Sequence, residues 1–564
     1  MPFFLRSICK VCYAIIIVIL VNTYVAAEED SPLSAGAVAS PNSYGTIAAQ
    51  EILAKGGNAV DAAVATAFVL AVTYPEAGNI GGGGFMTLWM NGKGYFLDYR
   101  EIAPAKATTN MYLDSKGEVV ANLSLYSHKA VAVPGTVAGM WAAHQRFGKL
   151  SWQEVLAPAI SYAKEGFMVD EQLMQRYREV LDKVPANGHF KEYFGAMKIA
   201  QPFKQPELAA VLERISEQGV NDFYQGETAQ LIVKQMADND GLITESDLNG
   251  YQAKWRDPLV AKWHGMQVIT APPPSSGGVG LLQLLLMKQA LANDFKGVRP
   301  NTARYVHLLA EIEKRVFADR AEYMGDPDFI NVPVKKLLAA DYLANRAKEV
   351  NPYAISATEN IEPGLTPEKL QTTHFSIVDK WGNGVSNTYT LNGWFGSGVV
   401  VKGAGILLNN EMDDFSSKAG VANQFGVVGS EANAIKPYKR PLSSMTPTIL
   451  TKDNKIVMVI GTPGGSRIIT SIFQVIVNVF DNHMSLEQAV STPRYHHQLL
   501  PKDRIFIERF QQGVPQLLKV RLQQMGYNFY QQDFSGDIQV IQIINDKPKA
   551  VADPRGRGRA LIVE

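Results

Sequence analysis

The chain has 564 residues, 46% hydrophobic and 19% charged, an ordinary globular composition with enough length for one large core or two. Its 54 lysines and arginines balance 54 aspartates and glutamates. That balance argues against nucleic acid as the main partner, because such proteins usually carry a basic excess.

The N-terminus reads as a secretory signal. Arg6 and Lys10 precede and flank "VCYAIIIVILV", an apolar run of roughly 11 residues, long enough for a signal core and too short to span a bilayer. Small residues at Val25 and Ala27 place cleavage after Ala27, so 1–27 is a signal peptide and the destination is the periplasm or the medium; an uncleaved anchor is the alternative. Both cysteines, Cys9 and Cys12, fall inside this segment. The mature protein then has no disulfide, no cysteine nucleophile and no thiolate metal site. No later run is apolar for long enough to be a membrane helix.

Residues 45–73 read as two helices. "GTIAAQEILAKGG" stops at Gly56 and Gly57, and "NAVDAAVATAFVLAV" restarts with Asn58 as N-cap and Asp61 in its first turn. "GNIGGGGF" (78–85) follows. "MTLWMNGKGYFLDYRE" reads as two strands around an Asn-Gly turn at Asn91 and Gly92. The stretch from about 135 to 350 is mostly helical in pattern, broken by "VPG" and "APPPSSGG". From 372 to about 475 strands dominate, among them "THFSIVD", "GVSNTYTLN", "GAGILLN" and "KIVMVIG". A helix follows from "SRIITSIFQVIVNVF", and strand-like segments end the chain. Helices first and strands later do not give a regular βαβ alternation, so the expected class is α+β in layers.

Several short segments can carry chemistry. The run "NPYAISATENIEPGLTPEKLQ" (351–371) is polar, holds three prolines and has no period, whereas "TTHFSIVD" alternates at once. Thr372 therefore sits where a flexible connector meets a strand. A threonine hydroxyl is a poor nucleophile without a base, and one solution uses the residue's own α-amine. Cutting Gln371–Thr372 would supply that amine; plain β-propensity is the other reading of "TT" at a strand start. In "GTPGGSR" (461–467) a strand runs in and a helix runs out, so the N–H groups of Gly464 and Gly465 suit an oxyanion or a phosphate; a plain strand-to-helix turn is the other reading. "NNEMDDF" (409–415) sets Glu411, Asp413 and Asp414 at a strand end, able to bind an ammonium or a cation but without calcium-loop spacing; a solvated loop is the alternative. Ser443 and Ser444, between prolines in "RPLSSMTP", offer two hydroxyls to a carboxylate; a turn with capping serines is the other reading. Arg100, just past a strand, can read a carboxylate bidentately; a surface ion pair with Glu101 or a neighbour is its bland alternative. His496 and His497 in "RYHHQ" would point to opposite faces of a strand and make a poor chelate, so they read as structural.

Taken together these segments resemble the γ-glutamyltransferases, or glutathione hydrolases, of the N-terminal nucleophile hydrolase superfamily. The likeness runs from about residue 33 to near the C-terminus. It rests on "GGNAVDAAVATAFVLAV", "GGGGFM", "LDYRE", "VAVPGTVAG", "APPPSSGG", "QTTHFSIVD", "TYTLN", "GILLNNEMDDF", "RPLSSMTPTI" and "GTPGGSRIIT", in that order. The resemblance implies a precursor that cleaves itself before Thr372. It gives a large subunit, 28–371, ending in the connector 351–371, and a small subunit, 372–564, which stay together as a heterodimer forming one four-layer αββα sandwich. It implies Thr372 as nucleophile, with Thr390 bonded to it and Gly464 and Gly465 as the oxyanion hole. Asn392, Glu411 and Asp414 would hold the glutamyl α-ammonium, and Arg100, Ser443 and Ser444 its α-carboxylate. The substrates it implies are glutathione and other γ-glutamyl compounds, with water, amino acids or dipeptides as acceptors, and neither cofactor nor catalytic metal. The segment 418–429 matches the family's lid loop, with Phe425 where many bacterial members carry tyrosine and Glu411 where several carry glutamine. Three alternatives stand beside this reading: a cephalosporin-type acylase, a poly-γ-glutamate transferase, and an exported γ-glutamyl-binding protein without turnover.

Overall fold

The structure, a computed structural model, describes residues 33–358, 372–416, 431–508, 510, 513–532 and 536–564. The expected signal peptide, Gln371 with most of the connector before it, and the segment 418–429 with Phe425 lie outside the described residues.

Two antiparallel sheets carry the fold. The first runs, in spatial order, Arg559–Val563, Gly36–Ser40, Thr373–Val378, Gly384–Thr390, Gly83–Met90, Lys93–Tyr99 and Lys254–Arg256. The second runs Lys547–Ala552, Gln539–Ile544, Lys455–Gly461, Thr448–Lys452, Met266–Thr270 and Leu259–Trp263. They face each other through small and β-branched side chains: Ala37, Ala39 and Val378 from the first meet Ile449, Val459 and Ile541 from the second. Alternation along each strand sends the other residues outward. Phe375, Ile377 and Tyr389 pack on the helices Ser43–Ala54, Ala59–Thr73 and Thr136–Phe147. On the far side, Val268, Leu450 and Met458 pack on Gly277–Ala290, Ala303–Tyr323 and Arg467–Phe480. Helices thus cover the outer face of each sheet, as the layered expectation had it.

Local signals explain the elements that bear on function. Asn58 accepts from the N–H groups of Val60 and Asp61, at 2.9 and 3.1 Å, while Asp61 accepts from the Asn58 N–H at 2.9 Å. This reciprocal cap starts a helix buried on every side. Its alanines let it lie close to the sheet. Asn91 and Gly92, at φ 51° and 73°, make the expected hairpin turn.

The structure adds strands that the sequence did not signal and corrects two expectations. The 135–350 stretch contains the strand Lys254–Arg256 and the hairpin Leu259–Trp263/Met266–Thr270, turning on His264 and Gly265 at φ 50° and 75°. These runs are too short to stand out from their helical surroundings, yet they complete an edge of each sheet. Gly36–Ser40 is also a strand, enclosed between Thr373–Val378 and Arg559–Val563. The strand read in "GAGILLN" is confined to Ile406 and Leu407. His496 is not in a strand; it forms an isolated bridge with Phe506, and both histidines are buried.

Candidate active site

One row across the first sheet builds the site. Tyr389 pairs with Thr373, so the next step of that register sets Thr390 opposite Thr372. Thr390 pairs with Gly83 on the adjoining strand. Gly84 pairs with Tyr99, so one more step sets Gly83 opposite Arg100. Face as well as register is determined. Ser376, two residues beyond His374, reaches the second sheet by donating to the Gln539 carbonyl at 2.9 Å, and Ser386 donates to that of Ile460 at 3.0 Å. Period-2 alternation puts Thr372 on the Ser376 face and Thr390 on the Ser386 face. Both threonines are buried and line one cavity with Arg100.

Gly81–Gly84 makes this close packing possible. A Cβ on Gly82 would lie 2.0 Å from the Thr390 carbonyl oxygen, and one on Gly83 would lie 2.5 Å from that of Tyr99. The Gly82 carbonyl accepts from the N–H groups of Gly135 and Thr136, at 2.7 and 3.0 Å, which brings the "VPGT" segment to the same place.

Arg100 is 1% exposed, which overturns the surface ion pair as its reading. Its Nη1 donates to Glu411 Oε1, and its Nη2 donates to Asp414 Oδ2 at 2.5 Å and to the Leu442 carbonyl at 3.1 Å. Glu101 Oε2 lies 3.8 Å from Nη1. Glu411 and Asp414 come from a single 3-10 turn, Glu411–Asp414. Asn409 secures that turn: its side chain donates to the carbonyls of Gly81 and Ala132 and accepts from the Glu411 N–H. Burial raises the Glu411 and Asp414 carboxyls, opposed by Arg100. Burial also pushes Glu101 up to about 7 against the same cation. One buried arginine thus faces three carboxylates, an environment that favours an added positive charge.

Asn392 lies beside this cluster. Its N–H donates to Thr390 Oγ1 at 2.8 Å and its Nδ2 to the Asn410 carbonyl at 2.9 Å. Asp413, noted with its neighbours in the sequence, accepts from Ser124 Oγ at 2.6 Å and is not among the cavity residues.

Ser443 and Ser444 line the same cavity. The "APPPSSGG" loop holds them. The Ser276 N–H and Oγ both donate to the Ser443 carbonyl at 2.8 Å, and Ser275 Oγ donates to that of Met445 at 2.6 Å. Gly465 lines the cavity at φ 54°; its neighbour Gly464, at φ 144°, does not. Both lie between the strand ending at Gly461 and the helix starting at Arg467, as the sequence predicts.

Nine of the ten expected site residues therefore line one cavity. Two further participants carry no signal in the sequence. Arg320 also lines the cavity, donating to Ser444 Oγ and Ser276 Oγ, both at 3.0 Å. Asn433 joins the Glu411–Asp414 turn to the Leu442 main chain: its Nδ2 donates to the Asp414 carbonyl at 2.7 Å and its Oδ1 accepts from the Leu442 N–H at 3.1 Å. An arginine inside a helix and an asparagine in a loop have no distinguishing spacing. The expected structural role of the "RYHHQ" histidines agrees with their settings. His496 contacts Thr470 Oγ1 at 2.9 Å and Gln498 Oε1 at 2.9 Å, while His497 Nδ1 accepts from the Leu499 N–H at 3.0 Å.

Comparison with known proteins points the same way. Residues 45–563 match the family model described as gamma-glutamyltranspeptidase. The chain is 59% identical over 535 residues to a glutathione hydrolase proenzyme of Pseudomonas aeruginosa, covering 94% of this chain and 95% of that one. It is similar to a gamma-glutamyltranspeptidase from Pseudomonas nitroreducens solved in complex with L-DON, at 61% identity and a TM-score of 0.58, over 59% of this chain and 99% of that chain. A cephalosporin acylase from Bacillus halodurans matches 94% of this chain and 96% of its own at 27% identity, with a TM-score of 0.81.

Proposed function

The chain belongs to the gamma-glutamyltranspeptidase family, and from that premise we propose that it is a self-cleaving glutathione hydrolase and γ-glutamyltransferase with Thr372 as its nucleophile. The observation that carries this reading is the shared cavity. Thr372 lies in one pocket with two guanidinium groups, two carboxylates and three serines, Ser443 and Ser444 among them.

A γ-glutamyl group carries an ammonium and a carboxylate on one carbon. Glu411, Asp414 and Asn392 take the ammonium, and Arg100, Ser443 and Ser444 take the carboxylate. Because Arg100 is already paired with Glu411 and Asp414, entry of this zwitterion exchanges ion pairs and leaves no buried charge alone. An acyl group without an ammonium lacks that exchange, which separates this reading from a cephalosporin-type acylase on the same fold.

In the precursor, the Thr372 hydroxyl attacks the residue-371 carbonyl. The peptide bond becomes an ester, and water releases the 371 carboxylate and a free Thr372 amine. The products are a large subunit, 28–371, and a small one, 372–564, which share the two-sheet core as a heterodimer. The new amine, with an ordinary pKa of about 7.7–8.0, then serves as base for its own hydroxyl. The hydroxyl oxygen attacks the γ-amide carbonyl. The Gly464 and Gly465 N–H groups stabilise the oxyanion, each donor typically worth about 3–4 kcal/mol. Thr390 orients the nucleophile. The amine departs and a γ-glutamyl ester remains on Thr372. Water then yields glutamate, or an amino acid or dipeptide amine yields a new γ-glutamyl compound. The N-terminal signal sends the enzyme to the periplasm or the medium, and among the described residues no helix is long and apolar enough to cross a membrane.

The test is turnover of a γ-glutamyl anilide with and without a dipeptide acceptor. Aniline release with glutamate, and a γ-glutamyl dipeptide when acceptor is added, is the expected result. Binding without release identifies a capture protein instead.

A further inference from the structure

We propose that Arg320 is a positioning residue for the substrate's α-carboxylate, acting through the hydroxyls of Ser444 and Ser276. This rests on the reading of Ser443 and Ser444 as carboxylate donors. Arg320 comes from the helix Ala303–Tyr323, on the outer side of the second sheet. It is 7% exposed, and it reaches the same cavity as Thr372.

Hydrogen-bond polarity carries the inference. A guanidinium has donors and no acceptor. Where Arg320 Nη2 meets Ser444 Oγ at 3.0 Å, the serine oxygen must therefore accept. Its single proton cannot point back at Arg320 and is left for an acceptor elsewhere, and Ser444 lines the cavity. A serine hydroxyl otherwise rotates among partners. A cation fixed behind it removes the unproductive orientations and polarises the O–H toward an anion.

The same constraint acts at Ser276. Its Oγ accepts from Arg320 Nε at 3.0 Å and donates to the Ser443 carbonyl at 2.8 Å. One planar fork thus fixes the Ser444 side chain and, through Ser276, the Ser443 main chain. Lysine supplies the charge without the fork. The cation also has a longer reach: burial raises the Asp414 carboxyl, and Arg100 and then Arg320 work against that rise.

The experiment is a double-substitution cycle on the processed enzyme with a γ-glutamyl anilide, using Arg320→Gln, Ser444→Ala and the pair. Arg320→Gln is expected to give normal two-band protein, a KM raised about tenfold or more, and a kcat within about threefold of the parent. Competitive inhibition by L-glutamate should weaken by the same factor. In the Ser444→Ala background the Arg320 change should move KM by clearly less than it does in the parent, because only the route through Ser276 remains. Arg320→Lys should fall between parent and Arg320→Gln. Fully additive KM effects, or a fall in kcat with KM and glutamate inhibition unchanged, overturn the proposal. If Arg320→Gln does not process, the cycle is run with Arg320→Lys, where a non-additive KM effect supports the proposal and an additive one overturns it. A parent enzyme that releases no aniline defeats the functional reading itself, whereas active parent with a flat Arg320 response defeats only this inference.

Discussion

Thr372 stands across from Thr390 at the open end of an antiparallel strand pair, both on the face that meets the second sheet. That relationship puts a hydroxyl beside the strand Gly384–Thr390, which is paired along both edges. A new chain end formed there stays in place because Thr373–Val378 is held by strands on both sides.

Arg100 answers to two carboxylates, so its substitutions separate charge from geometry. Arg100→Lys keeps a cation but loses the fork, and KM for a γ-glutamyl anilide should rise about 10- to 100-fold with processing intact. Arg100→Gln strands Glu411 and Asp414 and should cost about 3–5 kcal/mol of stability, read as a lowered Tm. An unchanged KM in Arg100→Lys contradicts the carboxylate assignment.

Gly82 is fixed by contact rather than by backbone angle. A Cβ there meets the Thr390 carbonyl oxygen at 2.0 Å. Gly82→Ala should push Thr390 out of line, slow the appearance of the two subunits and lower stability by about 1–3 kcal/mol. Time-resolved denaturing gels check this; parent-like processing with parent-like Tm refutes it.

Asn433 ties the Glu411–Asp414 turn to the loop before Ser443. Asn433→Ala removes both bonds and should raise KM while lowering stability by about 1–3 kcal/mol. Measured KM and Tm decide the matter, and a loss confined to Tm would leave Asn433 as scaffold alone.

His374 is buried between the sheets, and burial pushes it down to about 3. Its ring contacts Thr388 Oγ1 at 2.8 Å and Ser376 Oγ at 3.0 Å. Folding therefore favours the neutral ring. The stability this gives is complete above the unfolded value of about 6.5 and drains away as pH falls toward 3. Between pH 6 and 4 the parent should lose about 1.4 kcal/mol per pH unit more than His374→Gln. Parallel stability profiles from denaturant unfolding across that range would dispose of this assignment.

Local signals carry far in the sequence. The Asn58–Asp61 cap, the Asn91–Gly92 turn and the strand–glycine–helix run at 455–480 stand where pattern places them, because each is set by neighbours in the chain. The family motifs supply the site residues, but not how they meet. Arg100 and Glu411 are 311 positions apart, and their pairing is a product of sheet order. Arg320 is hidden because a charged residue in a helix reads as a solvated one until the surrounding layers are known. The 259–270 hairpin is hidden because two five-residue strands lie between helices.

Thr372→Ala probes the core claim at its source, since one hydroxyl serves both cleavage and turnover. That variant should remain a single inactive chain. Most direct is N-terminal sequencing of the smaller polypeptide from purified active protein, with its intact mass. The expected start is Thr372-Thr373-His374; fully active material whose backbone runs unbroken through 371 and 372 would contradict it.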